Sequence, residues 1–117
     1  MITVAAFRKL ALALPDASEA PHFDLASFRA AHKIFATLSE KDARAMVKLT
    51  PQQQEILTAA EPEIFQRIPN AWGDKGATWL HLRAADKTTA LSALQTAHAN
   101  VAAKPSRTAK GASKRRV

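Results

Sequence analysis

The sequence predicts an α+β domain in which an antiparallel sheet of about four or more strands carries its helices on one face. Four segments alternate between apolar and polar residues, namely 26–30, 33–38, 44–49 and 77–83. Three others repeat their apolar residues with helical spacing. The chain has 117 residues and is 47% hydrophobic, which is enough for one core without metal or disulfide. We therefore expect a single compact domain over residues 1–104.

Each predicted helix begins at a residue that can cap it. Thr3 precedes a helix that Pro15 ends. Thr50 precedes Pro51, and Gln53 can complete a capping box. Asp86 caps a last helix, which Pro105 ends.

The connections are less clearly defined. Residues 18–25 are polar and fit an irregular segment or a short strand. The hairpin turn at residues 31–32 has no glycine, so its type stays open. Residues 39–43 form a loop, and residues 61–65 add one more helical turn. Residues 66–76 are expected to be irregular.

Alternation along the strands assigns each side chain to one of two sheet faces. The face under the helices comprises Phe28, Ile34, Ala36, Leu38, Ala45, Val47, Leu49, Leu80 and Leu82. The opposite face, called the open face below, comprises Ser27, Arg29, Lys33, Phe35, Thr37, Arg44, Met46, Lys48, Trp79, His81 and Arg83. This second set contains cations and aromatic rings but no acid.

Cations between aromatic rings are typical of surfaces that bind single-stranded nucleic acid, since cations follow phosphates and rings stack on bases. The candidate contacts on the open face are Arg29, Lys33, Phe35, Arg44, Lys48, Trp79, His81 and Arg83. A solvated face is the alternative, because antiparallel sheets commonly leave one polar face in water.

The positive charge is concentrated at the carboxyl end. The net charge is +7, and six of the 17 cations are Lys104, Arg107, Lys110, Lys114, Arg115 and Arg116. The last residues lack large apolar side chains, so we expect a disordered basic tail over residues 105–117. The tail either contacts phosphates without sequence preference or only increases solubility.

The sequence lacks the motifs that mark several classes of function. The chain has no cysteine, no glycine-rich phosphate loop and no metal-ligand spacing among its four histidines. We therefore expect a non-enzymatic protein without metal or cofactor. The sequence contains neither a leader pattern nor a membrane-spanning run, so we expect a cytoplasmic monomer that contacts no membrane.

A tryptophan beside glycine makes residues 72–76, WGDKG, the most unusual loop. Trp72 either covers a groove or anchors the turn in the core, and the cost of exposing tryptophan favours the anchored turn. A groove lined by Phe23, Trp72 and Trp79 is the alternative functional site. It would bind a protein or a small ligand.

The segments that carry a family resemblance are residues 12–38, 48–57, 61–82 and 88–104. They resemble the MmcQ/YjbR-like family of small bacterial proteins over about residues 3–104. The resemblance implies a frataxin-like (CyaY-like) fold and favours DNA as partner. It supplies no catalytic or cofactor residues. Arg8 and Lys9 stand in the first helix, where an acid cluster would be needed for iron.

Overall fold

The fold is built on one antiparallel sheet of six strands in the order β1-β2-β3-β4-β6-β5. A computed structural model describes residues 1–102. The strands are β1 Ser18–His22, β2 Leu25–Ala30, β3 Lys33–Ser39, β4 Arg44–Lys48, β5 Phe65–Arg67 and β6 Ala77–His81. The predicted tail over 105–117 lies outside the described residues, as do its cations and Lys104. The α+β class and the helix-covered antiparallel sheet are confirmed.

The helices are α1 Val4–Leu12, α2 Pro51–Ala60, α3 Ala71–Asp74 and α4 Lys87–Ala102. The three predicted caps are present. The Thr3 hydroxyl accepts from the Ala6 N–H, and Thr50 with Gln53 forms the capping box. The Asp86 carboxylate accepts from the Thr89 N–H at 2.7 Å. Within residues 1–102 no helix has the length and apolar character needed to cross a membrane.

One face of the sheet packs against the helices to form the core. Phe28 meets Phe7 of α1 edge-on, with ring centres 6.3 Å apart. Leu80 and Leu82 are buried, as predicted, while Trp79 and His81 on the opposite face are half-buried. These two burial patterns fix the register of β6, because a slip of one residue would exchange the faces.

A β-bulge in β3 overturns the predicted sheet face of three residues, Lys33, Ile34 and Phe35. Lys33 pairs with the buried Ala30 and so begins β3 on the helix-covered side, not on the open face. Phe28 pairs with Ala36 and Arg29 pairs with Ile34, so Phe35 has no partner on β2. The extra residue reverses the alternation on its amino-terminal side. Phe35 is therefore fully buried against α4, where its ring lies 5.4 Å from His98. Ile34 shares the side of Arg29 and is only half-buried.

The hairpin between β2 and β3 closes with a two-residue turn. Ala31 has φ 52° and His32 has φ 66°, the left-handed values that a type I′ turn requires. Glycine or asparagine usually occupies such positions, since Cβ costs about 1–2 kcal/mol there. The turn that the sequence left open is thus a strained one.

The structure also contains three elements that the sequence did not define. Residues 18–22 form edge strand β1, so of the two alternatives for this polar segment the short strand is the one present. The turn expected over 61–65 is present, since the Phe65 N–H donates to the Glu61 carbonyl at 2.9 Å. The sequence did not indicate that Phe65 then begins β5 and pairs with Leu80. Helix α3 lies within the segment expected to be irregular. Strand β6 ends at His81, which leaves Arg83 exposed in a turn.

Candidate nucleic-acid interface

In the middle of the open face, side chains pack against one another and leave little surface exposed. Trp79 pairs across the strands with Met46, and the guanidinium carbon of Arg44 lies 4.0 Å from a ring centre of Trp79. This is the geometry of a cation–π contact. Ser27 is fully buried and Thr37 is 8% exposed, although both belong to this face. The predicted stacking platform is therefore reduced, since Phe35 is absent from it and one side of Trp79 is occupied.

The polar groups around Trp79 also satisfy one another. Arg44 lies 3.7 Å from an oxygen of Asp42, and His81 Nε2 lies 2.9 Å from the side-chain oxygen of Gln66. Burial, and secondarily the charge of Arg44, lowers the pKa of His81 below 6.5. Arg44 and His81 thus belong to a cluster that is already paired.

The aromatic groove predicted from Phe23, Trp72 and Trp79 does not form. Phe23 is 93% exposed at the β1–β2 turn, where it lines a depression with residues of β1 and α1. Trp79 lines a small depression in the middle of the sheet. Trp72 lies on α3 and lines neither of these depressions. The three rings lie in three separate places.

A different site lies at the end of the sheet that holds the β2–β3 hairpin. It is a groove of about 570 Å³, called the basic groove below. Its cationic side chains are Arg29, Lys33, Lys48 and Lys75, with His32 beside them. The rest of the lining comprises the apolar or aromatic Ile34, Leu49, Pro51, Val101 and Trp72 and the polar Thr50 and Asn100. Among the described residues that line this groove there is no Asp or Glu.

The strand topology brings these cations together. Lys33 begins β3 and Lys48 ends β4, and antiparallel pairing places those two ends side by side. Arg29 lies near the end of β2, one residue from the turn. Lys75 follows α3 directly. The sequence predicted the first three as contacts on the open face but missed Lys75, whose position depends on α3.

A polar network holds the floor of the basic groove. The Asn100 side-chain amide of α4 donates to the Lys48 carbonyl at 2.9 Å and to Gln53 Oε1 at 2.8 Å. The same oxygen of Gln53 accepts from the Thr50 N–H at 2.9 Å. The capping box of α2 therefore also fixes the end of α4 beside Lys48.

Trp72 is held at the groove while most of its surface faces solvent. It is 65% exposed, so the prediction that it anchors the turn is wrong. Glycines anchor the turn instead. A Cβ on Gly73 would lie 1.6 Å from the Ile68 carbonyl oxygen, and Gly76 has φ 112° against the Leu49 carbonyl. Asn70 caps α3 by accepting from the Trp72 N–H at 2.9 Å.

Two further observations describe the charge at the groove. Asp74, the acid beside Lys75 in sequence, forms an ion pair with Arg67. Arg29 Nε is buried and has no hydrogen-bond acceptor among the described residues. A buried donor without an acceptor costs about 1–3 kcal/mol, and more when the group is charged.

Comparison with known proteins identifies the family. The model of the YjbR family matches residues 12–100, which is most of the chain. The chain belongs to the YjbR family. The match includes Arg29, Lys33, Lys48, Trp72 and Lys75, and of the residues that line the basic groove it leaves out Val101 alone. None of the curated proteins compared with this YjbR-family chain matches it.

One solved structure has a similar fold. It is the crystal structure of protein DR2400 of Deinococcus radiodurans, whose domain is described as DUF419. The TM-score is 0.74 at 18% identity, and the match covers 89% of this chain and 81% of that chain. At this identity the likeness shows the fold alone.

Proposed function

We propose that this YjbR-family chain is a cytoplasmic, monomeric and non-enzymatic protein that binds DNA through the basic groove and the basic tail. The observation that carries the proposal is the groove itself. Four cations meet around an exposed tryptophan, and no acid is present among the described lining residues. Surfaces that bind phosphate backbones combine cations with aromatic rings in this way.

The position of the tail favours joint action with the groove. Val101 lines the groove, and the described chain ends one residue later, at Ala102. Lys104 is two residues further along, which is at most about 7 Å of extended chain. The tail therefore continues from a residue next to the groove lining, and its cations would add to the positive charge that a phosphate backbone meets.

The salt dependence of binding tests this proposal. A groove variant combines Lys33→Gln, Lys48→Gln and Lys75→Gln. Lys9→Gln, Lys41→Gln and Lys87→Gln together form a control variant with the same change in charge, since these exposed lysines lie outside the groove. Affinity for a labelled oligonucleotide of about 12 bases is measured by fluorescence anisotropy across about 50–200 mM salt.

The groove variant should weaken binding and flatten the plot of log affinity against log salt by about two units, at roughly 0.7 per lost phosphate contact. The control variant should keep a steeper slope. A chain that ends at residue 104 should still bind weakly through the groove. Equal slopes for the two variants would assign all binding to the tail. Absence of binding by the full-length chain at about 50 mM salt would refute the proposal.

A small anionic ligand is the second candidate for the same groove. Its volume of about 570 Å³ is in the range of ligand pockets, about 300–1,000 Å³, and its lining includes apolar carbon. Competition by a free mononucleotide at micromolar concentration against the labelled oligonucleotide would favour this function over binding of a polymer.

A further inference from the structure

The structure contains one large aromatic side chain beside the cations with its ring mostly in solvent. Trp72 is 65% exposed, whereas Trp79 is half-buried under Arg44. Tryptophan is highly buried on average, so this exposure is unusual. The neighbouring Gly73 is buried instead, with its backbone packed against the Ile68 carbonyl.

The Trp72 ring lies beside cationic and apolar side chains of the kinds that bind the phosphate and the base of a nucleotide. Lys48 and Lys75 line the same depressions as Trp72, and Arg29 and Lys33 line the larger of them. Ile34 and Pro51 supply apolar surface for the flat side of a base. Cations for the phosphate and carbon for the base are therefore present in one groove.

We infer that Trp72 stacks on one unpaired base of a nucleic-acid strand whose phosphates lie along Arg29, Lys33, Lys48 and Lys75. The inference rests on the proposed function and specifies its substrate class as single-stranded nucleic acid. The base of an intact duplex is stacked on its neighbours and cannot reach Trp72 without being flipped out. Duplex DNA would meet only the cations of the groove and the tail.

The experiment uses the full-length chain and three probes of equal length, namely a single-stranded oligonucleotide, an abasic oligonucleotide and a duplex. The abasic probe keeps the phosphates and removes the rings. Trp72→Ala removes the stacking ring, and Trp72→Phe keeps an aromatic surface. Ile56→Ala is the matched control, because Ile56 is also 65% exposed and does not line the groove. Circular dichroism checks that each variant is folded.

We expect Trp72→Ala to weaken binding of the single strand by about fivefold or more, from the stacking energy per base. Its binding of the abasic probe and of the duplex should change by less than about twofold, since those contacts are electrostatic. Trp72→Phe and Ile56→Ala should bind the single strand nearly as the parent chain does.

Two results would overturn the inference in different ways. If the parent chain binds all three probes but Trp72→Ala weakens them equally or not at all, Trp72 does not stack and only the proposed DNA binding stands. If the parent chain binds none of the probes, the proposed function fails, and the stacking role fails with it.

Discussion

Replacing Phe35 by alanine distinguishes a bulged β3, in which Phe35 is buried, from the regular strand that alternation predicts, in which Phe35 lies on the open face. Phe35 is fully buried, and its ring meets His98 of α4 edge-on at 5.4 Å. Removing a buried phenyl group loses its transfer free energy and leaves a cavity, at a typical cost of about 3–5 kcal/mol. This cost is a large fraction of the total unfolding free energy of a typical domain, about 5–15 kcal/mol. Phe35→Ala should therefore unfold at a much lower urea concentration.

Phe23→Ala is the matched control for this measurement. Phe23 is 93% exposed at the turn between β1 and β2, so truncation removes almost no buried surface. Its unfolding free energy should change by less than about 0.5 kcal/mol. Urea titrations followed by circular dichroism give both unfolding free energies, and an unchanged slope m shows that each variant still unfolds in two states. A cost below about 1 kcal/mol for Phe35→Ala would mean that the bulge is absent and that the ring lies on the open face.

Three further changes test other parts of the structure. Burial lowers the pKa of His81, so the unfolded chain binds a proton more readily than the folded one and the free energy of unfolding should fall between about pH 7 and 5. In urea titrations over that range, His81→Gln should lose less unfolding free energy than the parent chain. Ala31→Gly should raise the melting temperature slightly, since φ 52° strains alanine by about 1–2 kcal/mol, while Ala30→Gly in the adjoining strand should lower it. Gly73→Ala should cost about 1–3 kcal/mol or more, because its Cβ would overlap the Ile68 carbonyl, and unchanged stability would show that the loop is loose.

The sequence predicted those parts of the fold that depend on local patterns. Alternation located strands β2, β3, β4 and β6, and the residues Thr3, Thr50 and Asp86 marked the helix starts. The bulge was not predicted, because Ile34, Phe35 and Ala36 are all apolar, so the pattern does not show which of them face the helices. The bulge is evident only from the strand pairing, in which Phe28 pairs with Ala36 and Arg29 with Ile34.

The candidate site was predicted in part. Arg29, Lys33 and Lys48 were identified because they lie in strands, but alternation placed them along a face rather than around one end. Lys75 and Trp72 depend on α3, for which Asn70 was the available signal as a capping residue. The exposure of Trp72 and the close packing of Gly73 against Ile68 are tertiary features that a sequence pattern does not reveal.

The two tryptophans provide the most direct test of the basic groove. The chain contains two, so a ¹⁵N spectrum of the full-length protein holds two indole N–H signals, and Trp72→Phe assigns them. Titration with a single-stranded oligonucleotide should shift the Trp72 signal progressively and leave the Trp79 signal in place, because Arg44 already covers that ring. Movement of the Trp79 signal alone would put binding on the open face. Binding that moves neither signal would show that the groove takes no part.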